Sequence, residues 1–257
     1  MNIPSIGLGT YQLLGDDAYN AVVYAIKENY NHIDTAKLYK NEMFIGQALT
    51  DLPVSRSDLF ITTKVLNKDQ MKGYDRVLSA FEKSLSDLKT DYVDLLLLHA
   101  PIIDKLDSSW KALEYLYTHG KCKVIGVSNF EIEDLEHFNK YTILPAVNQI
   151  ELSPFYTREK LVNYCREKEI IIEAHTSLTR GQKLDNPVVV DMAKKYSISP
   201  AQVMLKWARQ NDYIIVPRSC IQSEIKENIN LPEIDIAGKD MEVLNNLDEG
   251  FALTKRR

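Results

Sequence analysis

The sequence predicts an α/β fold, a (β/α)8 TIM barrel with two extra helices, and three observations point there. Short β-rich runs alternate with amphipathic helical stretches eight times along the chain. One of those runs, Asp94 followed by Leu95 to Leu98, is continuously apolar after its first residue, which reads as a strand buried on both faces of a parallel sheet. No composition break or linker interrupts the 257 residues, so eight β/α units in one closed barrel account for the length, and 1–257 is expected to form a single domain. The competing arrangement is a doubly wound open sheet. Its glycine-rich loop is missing, because Gly7-Leu-Gly9 lacks the third glycine and the helix start that should follow.

Taken in order, each strand candidate is a short β-rich run with polar residues at or near its end. The run at 6–8 ends on Thr10-Tyr11, 31–33 on Asp34, 59–63 on Lys64 and 92–98 on His99. The run at 124–127 ends on Ser128-Asn129, 146–150 contains Gln149, 170–174 ends on His175, and 213–216 ends on Arg218-Ser219. Helical patterns at 17–29, 42–49, 74–88, 108–117, 132–139, 159–168, 200–209 and 222–228 follow these strands in turn. Two further helices, 186–196 and 238–247, lie outside the eightfold repeat. A barrel carries its chemistry at the C-terminal ends of its strands. One polar terminator is an ordinary strand stop; a full set of eight at one end is a site.

Composition excludes several classes of function. The formal charge of −5 argues against a nucleic-acid surface. Cys122, Cys165 and Cys220 are scattered, without a C-x-x-C pair or a histidine at zinc spacing, so reduced cytoplasmic usage and no metal are expected. The start Met1-Asn-Ile-Pro has neither a basic nor an apolar leader region, and the longest apolar run is far too short to span a bilayer. With nothing marking a dimer seam, a cytoplasmic monomer is the expectation.

Asp34, Tyr39, Lys64 and His99 together suggest proton donation. A free tyrosine is a poor acid near neutral pH, with a pKa of about 10. A lysine beside it, itself paired with an aspartate, favours the phenolate and is expected to draw that pKa down. A neutral histidine can hydrogen-bond a carbonyl oxygen or steer the phenol. The assembly suits protonating a carbonyl oxygen while hydride reaches its carbon. Glu42, at the start of the following helix, reads as a helix-terminal acid and stays outside the chemistry.

At this point the chain resembles the aldo-keto reductases along nearly its whole length. The resemblance rests on Gly7-Leu-Gly-Thr, His32-Ile-Asp-Thr-Ala with Tyr39-x-Asn-Glu, Thr62-Thr-Lys64, Asp91 to His99, Gly126-Val-Ser-Asn-Phe130, Val147 to Pro154 and Val216-Pro-Arg-Ser. Among the branches it is most similar to short bacterial-type reductases of diketogluconate and small reactive aldehydes. The resemblance implies a (β/α)8 barrel with NADPH extended across the mouth, NADH being a further candidate. It implies Tyr39 as general acid, Lys64 and Asp34 as its tuning pair, and His99 as substrate orienter. It also implies cofactor contacts at Gly9, Thr10, Tyr11, Asp34, Ser128, Asn129, Gln149, His175, Arg218, Ser219, Glu224, Glu227 and Asn228. A small-molecule carbonyl is the implied substrate, walled by Tyr11, Tyr39, Leu66, His99 and Ala100.

The chain departs from the family pattern in four places. His175 stands where a tyrosine usually stacks on the nicotinamide, so hydride transfer is expected to be less well supported or, through protonation of His175, pH-dependent. Glu224 stands where an arginine usually meets the 2′-phosphate, while Arg218 supplies a forked cation nearby; weakened discrimination against NADH follows. Tyr11, Leu66 and Ala100 replace frequent tryptophans, which widens the pocket and removes indole stacking. Little chain follows Asp248-Glu-Gly250, so an open mouth and broad specificity are expected. The rival function is a nicotinamide-binding sensor with vestigial chemistry, and the complete Asp-Tyr-Lys-His set favours the enzyme.

Overall fold

The computed structural model describes residues 2–254. Eight strands follow in chain order: β1 (Leu8–Gly9), β2 (His32–Asp34), β3 (Phe60–Val65), β4 (Val93–Leu98), β5 (Cys122–Ser128), β6 (Val147–Glu151), β7 (Ile171–His175) and β8 (Ile214–Ile215). Each pairs in parallel with the next. The ring closes where Gly7 N donates to Ile215 O at 2.8 Å, Ile215 N to Ser5 O at 3.0 Å and Gly9 N to Pro217 O at 2.9 Å. Closure leaves no sheet edge, as the (β/α)8 barrel requires. Gly9 permits this seam, because a Cβ there would stand 2.5 Å from Val216 O.

Around the ring lie α1 (Asp16–Lys27), α2 (Glu42–Asp51), α3 (Asn67–Gln70), α4 (Tyr74–Leu88), α5 (Leu106–Thr118), α6 (Ile132–Glu136) and α7 (Glu159–Glu167). They are followed by α8 (Pro187–Tyr196), α9 (Pro200–Gln210), α10 (Gln222–Ile229) and α11 (Gly238–Asn245). The two extra helices are α8 and α11. Proline occupies the first turn of both α8 and α9, where its missing N–H costs nothing. Asn186 caps α8, and Ser199 with Gln202 forms a capping box on α9. The helix expected over 132–139 is shorter: α6 stops at Glu136 and tightens into a 3-10 turn, His137–Lys140. The short α3 after Leu66 is not foreseen by the periodicity.

Two-residue alternation sorts the four leucines of β4. Leu96 and Leu98 join the large core between sheet and helices, with Ile33, Val127, Trp110 and Phe130. Leu95 and Leu97 join a separate cluster with Phe60, Val124 and Val147, which fills the barrel. Continuing that inward phase carries β4 to His99, β3 from Phe60 to Lys64, β6 from Val147 to Gln149 and Glu151, and β7 from Ile171 to Glu173 and His175. Inward positions change from apolar on the floor to polar at the mouth.

After α11 the chain returns to that mouth. Glu249 N and Phe251 N donate to Phe155 O at 3.3 and 3.0 Å. Leu253 N and Thr254 N donate to the two oxygens of the buried Glu151 carboxylate at 2.8 and 2.7 Å. Ala252, Leu253 and Thr254 thereby wall one side of the cleft. The mouth keeps a wide cleft, as the short end of the chain leads one to expect, and the few residues after Gly250 are pinned at one side of it by their main chain.

Candidate functional site

The ends of β2 and β3 build the centre of the mouth. Lys64 is 1% exposed. Its ammonium donates to Asp34 Oδ1 at 2.7 Å, Asp34 Oδ2 at 2.8 Å and Thr35 O at 2.9 Å, with Tyr39 Oη at 3.5 Å. Tyr39 ends a 3-10 turn, Lys37–Tyr39, and Lys40 then turns left-handed at φ 58°. Asn41 fixes this turn from beneath: it accepts from Thr35 Oγ1 at 2.7 Å and donates to Thr10 O at 2.8 Å and Leu13 O at 3.0 Å. Glu42 takes no part; its carboxylate accepts from Thr63 at 2.7 Å and Ser84 at 3.1 Å and pairs with Lys37. That is more than a helix-terminal acid, since it ties α2 to β3 and α4.

The expected fall in the Tyr39 pKa is corrected by the structure. Burial pushes it up to about 12, outweighing the pull of Lys64, and Asp34 adds to the rise. Lys64 is itself pulled down by burial but held above its usual range by Asp34 and Tyr39. Tyr39 is therefore a protonated phenol across the physiological range. Its ring meets Tyr11 edge-on at 5.1 Å and His99 at 5.7 Å. His99 is neutral, lowered to about 3 by burial and by Lys64.

At the ends of β5 to β7, Ser128, Asn129, Gln149 and His175 come together. Asn129 takes the left-handed conformation at φ 61°, which asparagine tolerates. Its amide nitrogen donates to Ser128 Oγ at 2.9 Å and His99 O at 3.2 Å, and its oxygen lies 2.9 Å from His175 Nε2. His175 Nδ1 lies 2.9 Å from Thr176 Oγ1. With the asparagine so assigned, the network selects the Nε2–H tautomer of His175. Burial and then Lys64 lower His175 to about 3, so the protonation expected to make it pH-dependent does not occur near neutral pH.

Beneath them, the Gln149 amide nitrogen donates to Asp34 Oδ1 at 2.8 Å and also to Glu173 Oε1. Glu173 is fully buried, and its Oε2 has no hydrogen-bond partner. Glu173 is not among the residues expected at the site, although an acid within the apolar run 170–174 is a signal in the sequence.

The remaining candidates sit along an outer rim. Gly9, exposed Tyr11, Leu66, Ala100, Arg218, Glu224, Glu227 and Asn228 all line the cleft. Arg218 Nε donates to Tyr11 O at 3.1 Å. Ser219 is buried and donates to Glu224 at 2.6 Å, and Glu227 accepts from Ser199. Thr10 is buried too, its hydroxyl donating to Asp34 O at 2.9 Å. The side chains of Thr10 and Ser219 are thus engaged behind the wall. Arg180, not foreseen, lines the cleft with its guanidinium 5.7 Å from the Tyr11 ring. Among the described residues, no group of three or more His, Cys, Asp or Glu is placed to hold a metal, and no helix is long and apolar enough to cross a membrane.

The model of the Aldo/keto reductase family matches residues 5–249. The glyoxal reductase of Bacillus subtilis is 42% identical over 251 residues, covering 97% of this chain and 90% of that protein. Among solved structures, an aldo-keto reductase enzyme from a Medee basin deep-sea metagenome library superposes with a TM-score of 0.96 at 35% identity, covering 99% of this chain and 95% of that one. An aldo-keto reductase of Bombyx mori in complex with NADP superposes at 0.91 with 30% identity, covering 98% and 92%.

Proposed function

The chain belongs to the aldo/keto reductase family, and on that premise we propose that it is a cytoplasmic, monomeric reductase of small aldehydes and ketones that prefers NADPH and delivers the proton from Tyr39. The observation that carries this reading is Tyr39 Oη 3.5 Å from a buried lysine whose three N–H groups are already directed at Asp34 and Thr35. The cofactor fits the cleft on the chemistry of its lining. Two cations, Arg180 and Arg218, stand on the rim for phosphates, and the His175 ring offers a flat face near His99 and Asn129. The bound dinucleotide supplies the hydride.

The chain's own residues do the rest. Burial keeps Tyr39 protonated until a carbonyl oxygen accepts from it. As the proton leaves, the phenolate forms beside the Lys64 ammonium, which offsets the developing charge without any movement. Neutral His99 directs the carbonyl oxygen toward the phenol, and the tail at 252–254 narrows access for water and large substrates. Similarity to a glyoxal reductase supports small dicarbonyls as substrates. Arg218 favours the 2′-phosphate while Glu224 opposes it, so NADH is also accepted.

Steady-state oxidation of NADPH and of NADH, with methylglyoxal and a reactive aromatic aldehyde, tests this directly. Tyr39→Phe is expected to lower kcat by about 10²- to 10⁴-fold with cofactor affinity nearly unchanged. Comparable turnover in the variant removes Tyr39 as the acid. Tight cofactor binding with no turnover by the native chain replaces the enzyme with the sensor.

A further inference from the structure

Below the proposed proton donor, one amide nitrogen holds two carboxyl groups. Gln149 Nε2 reaches Asp34 Oδ1 and Glu173 Oε1 together. Two acids gathered on one donor do not both ionise readily, because the second charge meets the repulsion of the first. One cation is present, and Asp34 has it: both carboxylate oxygens of Asp34 lie within 2.8 Å of Lys64 Nζ. Glu173 has no such partner. Its Oε2 is buried without a hydrogen bond, a position far costlier for a carboxylate oxygen than for a neutral hydroxyl.

We propose that Glu173 is a positioning residue held as a neutral carboxylic acid, and that its ionisation at alkaline pH switches down the acidity of Tyr39 through the Gln149–Asp34–Lys64 contacts. The proposal rests on the reading of Tyr39 as proton donor. With Glu173 neutral, the cluster around Gln149 holds one anion, Asp34, and one cation, Lys64, and Lys64 acts fully on the phenol. The buried Glu151 carboxylate, on the same strand as Gln149, is engaged by the main chain of Leu253 and Thr254. An ionised Glu173 adds a second anion facing the same lysine. The phenolate then forms against net negative charge, and reduction slows.

The surroundings leave Glu173 as the group that titrates in that range. It faces Gln149 from β6, Asp34 from β2 and Lys64 from β3, and its register partner on β8 is the uncharged Ile214. Burial raises its pKa to about 8, Asp34 acting in the same direction and Lys64 and Gln149 against it. Tyr39 and Lys64 are raised above their usual values, and His99 and His175 lie near 3.

The experiment is the pH profile of kcat/KM for aldehyde reduction in the native chain and in Glu173→Gln, which keeps the shape and fixes the neutral state. The native chain should lose activity by roughly tenfold between about pH 7 and pH 10, with the limb absent in the variant. Superimposable profiles overturn the proposal. Infrared spectra of the native chain provide the second measurement, independent of variant folding and of turnover. A protonated carboxyl stretch should be present at neutral pH and fade with the same midpoint as the kinetic limb. Its absence at neutral pH means an ionised Glu173 and overturns the proposal. Tyr39→Phe remains the separate test of the donor, so loss of that reading leaves a distinct signature: full turnover without the phenol, whatever the infrared shows.

Discussion

The barrel interior and the outer rim both place charge at the cleft, by opposite means. Inside, Lys64 and Asp34 are sealed from water and every ammonium hydrogen has an acceptor within 2.9 Å. On the rim, Arg218 and Glu224 are solvent-exposed, and the carboxylate is occupied by the hydroxyl of Ser219. A buried pair is costly to break because the abandoned partner stays charged, whereas exposed charges are screened by solvent and interact weakly. On the proposed reading, the difference teaches that the reaction type is built into the buried part of the fold and the choice of cofactor into the exposed part.

The largest effect that would break this contrast lies inside. Lys64→Met is expected to lower kcat by about 10²- to 10⁴-fold and to destabilise the fold by about 3–5 kcal/mol, since Asp34 is left uncompensated. Adding Asp34→Asn should restore most of the stability, measured by denaturant unfolding, and none of the turnover. If turnover returns with stability, the pair is a structural element only. On the rim the expected change is smaller: Glu224→Arg should raise the preference for NADPH over NADH by about tenfold, the worth of roughly 1.4 kcal/mol, while kcat stays within about twofold. An unchanged cofactor ratio would mean that the rim near α10 does not read the phosphate. Smallest is Glu151→Gln, which keeps one acceptor for the tail and turns an N–H toward the other. A loss of about 1 kcal/mol in tail anchoring should raise KM severalfold for small aldehydes and expose the tail to carboxypeptidase. Unaltered KM and digestion would show the tail held by Phe155 and its neighbours alone.

The same contrast governs what was legible in the sequence. Strand order, the eightfold repeat and both extra helices follow from periodicity, which is a local property. The gathering of Asp34, Lys64 and His99 followed from their positions at strand ends, and that of Tyr39 from its place five residues beyond Asp34. Tyr39's acidity did not follow, because the attraction of Lys64 is evident from residue types while the opposing cost of burial depends on packing from the whole barrel. His175 was misjudged in the same way: its bonds to Asn129 and Thr176 and its low pKa exist only once β5 and β7 are assembled. Glu173 was visible as an acid in an apolar run, and the alternation of 171, 173 and 175 aims it inward. The tail was missed because nothing in 248–254 indicates that two main-chain N–H groups will find a carboxylate a hundred residues away.

The seam between β1 and β8 ties the charged centre to the two ends of the sheet. Its pairings join Ile6 to Ile215 and Gly9 to Arg218, so they close the longest loop in the sheet and carry its greatest entropic cost. The neighbouring pairings can form between units that are adjacent in the chain, but the ring is incomplete until its two ends meet. Until then the barrel interior is open along one side, and water can remain around Lys64, Asp34 and Glu173. The dry surroundings that define the protonation states of these residues therefore depend on the seam being closed, and a barrel open at that seam holds the same residues without them.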